Sequence, residues 1–282
     1  MKFGLFGIGS GPCADPDVAL SVAQAAEAAG FESVWTGEHV VLPDPQAPPS
    51  PAKPTFPMLH PSAVLSFLAA GTRTLRLGTG IILLPQRNPV VLAKELASVD
   101  VLSGGRLLFG IGVGYLKAEF DALGVPFEGR GARTDEYLEA MQALWTLDKP
   151  AYAGRYVNFS AVQAYPRPVQ KPHPPIHVGG MSASAYRRAV TRGAGWYGFA
   201  LDVEGTRTAI EGIREAAKQS PRPEELGELE ISVTPYVPLD ADTIRAFEDM
   251  GVHRIVSLMQ GRTQEQILEF VQQFGDEQIG GR

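Results

Sequence analysis

The sequence predicts an α/β chain folded as a single TIM (β/α)8 barrel, and three observations point to it. Eight short apolar runs, near residues 2–8, 33–38, 75–83, 106–114, 175–180, 195–200, 229–237 and 254–259, are each followed by a helix-like segment. The runs are almost continuously apolar, as in KFGLFGI, LRLGTGIIL and RLLFGIGVG. Strands of a parallel sheet covered on both faces read this way. The chain has 282 residues, close to the roughly 250 typical of one such barrel, so residues 1–282 are read as one domain. The rival is an open doubly wound sheet, which usually carries a glycine-rich dinucleotide turn after its first strand. GIGSGP at 7–12 approaches that turn, but its G-x-G-x-G runs into proline, so the rival is set aside.

The elements can be justified in order. MKFGLFGI has one lysine and a short apolar run that alternates like a strand, and is read as a strand rather than a leader. Asp15-Pro16-Asp17 supplies an N-cap and a proline at the first helical position. Asn88-Pro89 repeats the device, and Ser182 and Asp240 open later helices. Gly30, Gly71, Gly104, Gly193 and Gly251 stand where helices end, each read as a left-handed C-cap. Two connections are long: one after strand 2 and one before strand 5. Residues 39–60 lead into a stretch with eight prolines between Pro43 and Pro61. Residues 149–174 show an aromatic alternation that predicts a short hairpin. Loops of this size in a compact domain are usually lids or binding loops.

Composition narrows the function. A net charge of −6 argues against a nucleic-acid or anionic-membrane surface. No apolar window is long enough for a spanning helix. The single cysteine, Cys13, forbids an internal disulfide, fits a reducing cytoplasm and reads as packing. The five histidines show no H-x-H or H-E-x-x-H spacing, and no G-x-S-x-G elbow occurs. A glycosidase pair would need a second carboxylate beside Glu38, and Asp202 is the one candidate.

What stands at the strand ends is Glu38-His39, after the second strand. Catalytic groups of this fold lie on that face, and histidine exchanges protons under cell conditions. Glycine crowds the third and fourth strands, as Gly78, Gly80, Gly110, Gly112 and Gly114. Such strands suit a flat ring lying close to the backbone. HVGGMSAS at 177–184 places Gly179-Gly180 before the helix opened by Ser182, where free N–H groups would take phosphate. Together these predict a planar, phosphorylated cofactor. Phe6, Trp35, Tyr115, Trp196 and Tyr236 are expected to face the pocket, which favours an apolar or aromatic substrate.

GFESVWTGEHVVLP, LRLGTGIILLPQRNPVVLAKELASVDVLSGGRLLFGIGVGY, EFDALGVPFEGRGARTDEYLEAMQALW and PIHVGGMSASAYRRAVTRGAGWYG together resemble the luciferase-like monooxygenase superfamily. The likeness is strongest to its branch of coenzyme F420-dependent oxidoreductases, and its motifs lie within residues 1–200. It implies that His39 is an acid or base beside the reactive ring, with Glu38 orienting it. It implies a non-proline cis peptide at Gly80-Ile81. It implies cofactor contacts from Thr79, Gly80, Ile81, Gly112, Val113, Gly114 and Tyr115, and a phosphate loop at Gly179, Gly180, Met181 and Ser182. Tyr115 stands where the family's sugar-phosphate dehydrogenases have glutamate, which argues against that substrate. Val113 stands where bacterial luciferase binds phosphate with arginine, which argues against that FMN site.

The resemblance implies a homodimer that moves a hydride between F420 and a small organic substrate. An FMN-dependent monooxygenase using reduced flavin and oxygen is the alternative, and a non-catalytic flavin- or deazaflavin-binding protein a third. Lys53, Arg130 and Arg133 are the cations expected near an acidic cofactor tail.

Overall fold

The computed structural model describes residues 1–280; residues 281–282 of the expected domain lie outside the described residues. Eight strands, β1 (Lys2–Phe6), β2 (Ser33–Thr36), β3 (Arg76–Thr79), β4 (Leu107–Gly112), β5 (Ile176–Gly179), β6 (Gly195–Leu201), β7 (Glu230–Pro235) and β8 (Arg254–Leu258), each pair in parallel with the next. β8 returns to β1 with Lys2 opposite Arg254, and β3 meets β4 with Leu77 opposite Leu107, so the ring is closed. The open sheet is thereby excluded. β3 is interrupted at the cis Gly80-Ile81 peptide. It resumes as Ile82–Leu83 beside Ile111–Gly112.

The helices are α1 (Pro16–Ala28), α2 (Pro61–Gly71), α3 (Pro89–Leu102), α4 (Lys117–Ala122), α5 (Arg130–Thr146), α6 (Ala183–Arg192), α7 (Val203–Gln219), α8 (Ala241–Asp249) and α9 (Gln264–Phe274). α4 is the one beyond the barrel's eight, set in the connection between β4 and α5. The expected N-caps are in place. Asp15 accepts from the N–H of Asp17 and Val18, Asn88 from Val90 and Val91, Ser182 from Ala185 and Asp240 from Thr243. The C-cap expectation holds for Gly30, Gly104 and Gly251, whose φ values are positive, and fails for two. Gly71 closes α2 itself, where a Cβ would lie 2.2 Å from Leu20. Gly193 is extended, with φ −93°, and a Cβ there would crowd the carbonyls of Gly195 and Ala189. Close packing, not a left-handed turn, selects glycine at both.

Apolar burial is divided between two zones. The larger cluster fills the layer between strands and helices, from Leu5 and Val34 to Val271. The smaller plugs the barrel: Trp35, Leu108, Tyr197 and Val256, with Phe6 and Ile81 packed on it. Trp35 and Tyr197 stack at 5.1 Å. Beside the plug lies a buried polar network. Arg254 is fully buried and donates to Glu32, Glu230 and Ser232. His177 stands edge-on to Trp35 in this network, 3.7 Å from Glu230. Burial, then the Arg254 charge, holds it neutral with a pKa of about 3.

The two long connections are anchored. Leu59 and Gly11 bond the loop after β2 to the β1–α1 turn, through Gly9 and Pro57 carbonyls. The 149–174 segment forms the expected hairpin, Tyr152–Ala153 against Asn158–Phe159. It leaves the C-terminal end of α5 and runs back along it. Glu136 of α5 accepts the N–H groups of Arg155, Tyr156 and Val157. A Cβ at Gly129, the N-cap of α5, would lie 2.9 Å from the Tyr156 hydroxyl, so the insertion starts and ends on one face of the barrel while its hairpin reaches back along α5 towards the other. No helix among the described residues is long and apolar enough to cross a membrane. Cys13 is buried, its thiol pushed up to about 12 by burial, which is the packing role expected.

Candidate active site

β2 ends at Thr36, and Gly37 carries the chain out over the barrel mouth. Glu38 and His39 then diverge. The Glu38 carboxylate is buried, accepts the Leu83 N–H at 2.8 Å and pairs with Arg87. It does not meet His39. The partner of His39 is Glu119 of α4, with Oε2 3.3 Å from Nδ1. Glu119 Oε1 accepts the N–H of Val40 at 2.5 Å. Its carboxyl is pushed up by burial, but His39, the neighbouring Gln86 amide and the Val40 N–H outweigh this and hold it below the ordinary carboxylate range. Tyr115 packs edge-on against the imidazole, with ring centres 5.9 Å apart.

The expectation that Glu38 orients His39 is therefore corrected. A carboxylate next in sequence lost to one 80 residues away, because extended backbone at a strand end turns successive side chains apart. Glu38 instead forms a half-buried ion pair that ties the strand-2 end to the segment after β3. Sequence reading missed both Glu119 and Arg87. A signal for Glu119 existed. It shares a helical stripe with Leu116, Phe120 and Leu123, and a carboxylate on an apolar stripe is seldom buried without a partner.

The expected cofactor contacts separate into two groups. Gly80, Ile81, Tyr115, Gly180, Met181 and Ser182 are open at the mouth. Gly180 to Ser184 are all exposed, and of the first α6 amides the Ser182 hydroxyl takes only that of Ala185. N–H groups there remain free for an anion. Thr79, Gly112, Gly114 and Gly179 are buried. The Thr79 hydroxyl is spent on Gly110, donating to its carbonyl and accepting from its N–H, both at 2.8 Å. A Cβ at Gly112 would fall 1.9 Å from Ile81 Cδ1, and one at Gly78 2.4 Å from Trp35. These glycines make room for Ile81 and Trp35 rather than for a ligand. The flat floor is built at one remove, as the upper surface of Ile81 and Phe6 resting on the plug.

The expected substrate-facing aromatics divide too. Phe6 lines the mouth, 5.0 Å from Phe199. Tyr236 is at the rim and 75% exposed. Trp35 points into the barrel but lies in the sealed plug, its indole bonded to Ser33. Trp196 points outward to α6 against Tyr186, its indole donating to the Gly180 carbonyl. Neither tryptophan reaches the pocket. Strand alternation turns Tyr197 and Phe199 inward instead, and Phe199 is half exposed at the mouth. Of the expected tail cations, Arg133 is buried on the Pro126 carbonyl, Arg130 donates to the Gly114 carbonyl, and Lys53 is exposed. No group of three His, Cys, Asp or Glu side chains among the described residues could hold a metal ion.

A closed barrel with an interrupted third strand, a histidine after the second and a glycine turn before α6 matches one known pattern. Residues 2–278 match the model of the luciferase-like monooxygenases. The chain belongs to that family. An uncharacterised protein of Mycobacterium tuberculosis is 30% identical over 263 residues, covering 89% of this chain and 90% of that one. An FMNH2-dependent dimethylsulfone monooxygenase of Pseudomonas putida is 34% identical over 163 residues, 56% of this chain and 44% of that one. The coenzyme F420-dependent tetrahydromethanopterin reductase of Methanopyrus kandleri superposes with a TM-score of 0.78 at 19% identity, covering 98% and 97% of the two chains. The Pseudomonas relative of this luciferase-like enzyme is named for reduced flavin, and the Methanopyrus protein, named for coenzyme F420, shares its fold.

The residues present fit a flat phosphorylated group. Ile81 and Phe6 offer an apolar floor beside His39. The free amides of α6 offer an anion site. A flavin-type cofactor held there would supply the redox chemistry, and these residues would supply its position.

Proposed function

We propose that this enzyme transfers a hydride between coenzyme F420 and a small organic substrate, with His39 as acid or base. The observation that carries the reading is His39 at the barrel mouth, one ring nitrogen engaged by a buried carboxylate. Nε2 is then the nitrogen available to give or take the substrate's proton. Ile81, Phe6, Gly80 and Tyr115 would hold the cofactor's ring, and Gly180, Met181 and Ser182 its phosphate. Glu38 acts indirectly, fixing the loop that carries His39 through Arg87. Phe6, Phe199, Tyr115 and Tyr236 favour an apolar or aromatic substrate.

The FMN-dependent monooxygenase is the second reading, supported by the name of the Pseudomonas relative. Titration with each cofactor separates the two. Quenching of deazaflavin fluorescence at micromolar protein, with weaker FMN binding, supports the first. Preferential FMN binding with oxygen uptake driven by FMNH2 supports the second. Tight binding with no turnover of either kind returns the non-catalytic reading. A cytoplasmic homodimer completes the proposal. Exposed apolar residues on α2 and α3, among them Phe67, Val91 and Leu102, supply a face for self-association, which sedimentation would test.

A further inference from the structure

We infer that Glu119 is the positioning residue that selects the tautomer of His39, and that it does so because it offers two acceptor oxygens to two adjacent donors. The inference rests on the function proposed above and deepens it. Glu119 is 1% exposed, on the inward face of α4. One oxygen accepts the Val40 N–H at 2.5 Å and the other meets His39 Nδ1 at 3.3 Å. A single carboxylate thus grips consecutive residues of the loop that leaves β2.

An ionised carboxylate only accepts, so the imidazole must present Nδ1 as the donor. The neutral ring is then protonated at Nδ1 and bare at Nε2, ready to act as base on the pocket side. When the substrate's X–H bond breaks, its electron pair stays on the substrate and the proton forms a bond to Nε2. The resulting imidazolium keeps its Nδ1–H on Glu119, whose negative charge balances it. In the reverse direction Nε2 gives the proton back and the same tautomer returns. Glu38 has no part in this, because its oxygens are committed to the Leu83 N–H and to Arg87.

The geometry makes glutamine an informative substitute. Its side chain has the same length, but one oxygen and one NH2 in place of two oxygens. The Val40 N–H belongs to the backbone and cannot turn away, so the amide oxygen stays with it. The NH2 then faces Nδ1. Two donors cannot face each other, and the conflict is relieved when the ring moves its proton to Nε2. That tautomer is wrong for a base directed at the pocket. An orienting carboxylate replaced by its amide leaves geometry intact yet costs about 10⁴ in turnover in the serine-protease triad.

The test uses the cofactor-free chain labelled with 15N-histidine, as wild type, Glu119→Gln and Glu119→Asp. Long-range 1H–15N correlation at alkaline pH, with His39 assigned by its loss in His39→Ala, reads the tautomer of the neutral ring directly. Wild type should show a protonated Nδ1 and a bare Nε2. Glu119→Gln should exchange the two patterns, while Glu119→Asp, with both oxygens, should keep the wild-type pattern. With F420 and a turned-over substrate, Glu119→Gln should lower kcat by about 10²–10⁴ and leave cofactor affinity within about tenfold.

A wild-type ring protonated at Nε2, or a Glu119→Gln ring still protonated at Nδ1, overturns the inference. If the glutamine variant does not fold, the wild-type and aspartate spectra decide alone, and Nε2 protonation in either overturns it. Expected tautomers in a protein that turns over no deazaflavin substrate would fault the function and leave the role of Glu119 standing.

Discussion

Arg254→Met is the sharpest probe of what holds the barrel together. The guanidinium has no exposed surface. Its Nε and one Nη grip Glu32 at 2.9 and 2.8 Å, and the other Nη serves Ser232 at 2.9 Å and Glu230. Methionine keeps the length and removes the charge, leaving two carboxylates beside a neutral histidine. The cost can be worked from Glu230. Burial raises its carboxyl, but Arg254, then His177, which carries charge only below about 3, and Lys2 bring it down to about 2 from 4.5. That difference is worth about 3 kcal/mol. Lys2, at 2.6 Å, keeps part of it in the variant, while Glu32 adds a share of its own. The expected loss is about 3–5 kcal/mol, as for other buried pairs broken from one side.

The sign with pH follows from the depressed carboxyl. Its contribution is complete above about 4.5, the unfolded value, and fades as pH falls through about 2. The gap between wild type and variant should be widest at neutral pH and narrow in acid. Urea unfolding, followed by tryptophan fluorescence from Trp35 5.7 Å from the guanidinium carbon, reads it at each pH. A loss below about 1 kcal/mol at neutral pH, or a gap that does not change in acid, would refute the reasoning.

Two further substitutions test other contacts. Glu136→Ala strips three consecutive N–H groups of the hairpin of their acceptor, so local opening should become easier by about 1–3 kcal/mol. Faster amide exchange at Tyr156 and Val157, with α5 unchanged, would show it. Gly112→Ala sets a methyl 1.9 Å from Ile81 Cδ1. Overpacking should cost about 1–3 kcal/mol by denaturant titration, and displacing Ile81 should weaken cofactor binding as well.

Much of the fold was legible because the signals are local. Strand runs, the four N-caps and the hairpin of 149–174 depend on residues near one another in the chain, and each formed, although the run read as one strand over 75–83 is broken at Gly80-Ile81. His39 was legible as well, since a strand end of this barrel predicts where its side chain goes. What failed depends on distant pairings. Glu38 met Arg87, 49 residues on, and no local pattern announces that contact. The glycines of β3 and β4 were read as the floor of a slot, yet Gly78 and Gly112 are filled by Trp35 and Ile81. Whether a strand glycine admits a ligand or a neighbour is decided by side chains from other strands. The tryptophans failed through alternation: one residue separates outward Trp196 from inward Tyr197, and a run of aromatics conceals the phase.

The central claim is that His39 moves the substrate's proton beside a cofactor that other residues hold. His39→Ala tests it most directly, with cofactor affinity by fluorescence titration and turnover measured on the same preparation. The account predicts affinity within about tenfold of wild type and turnover reduced by roughly 10²–10⁴. Turnover equal to wild type at saturating cofactor would contradict it.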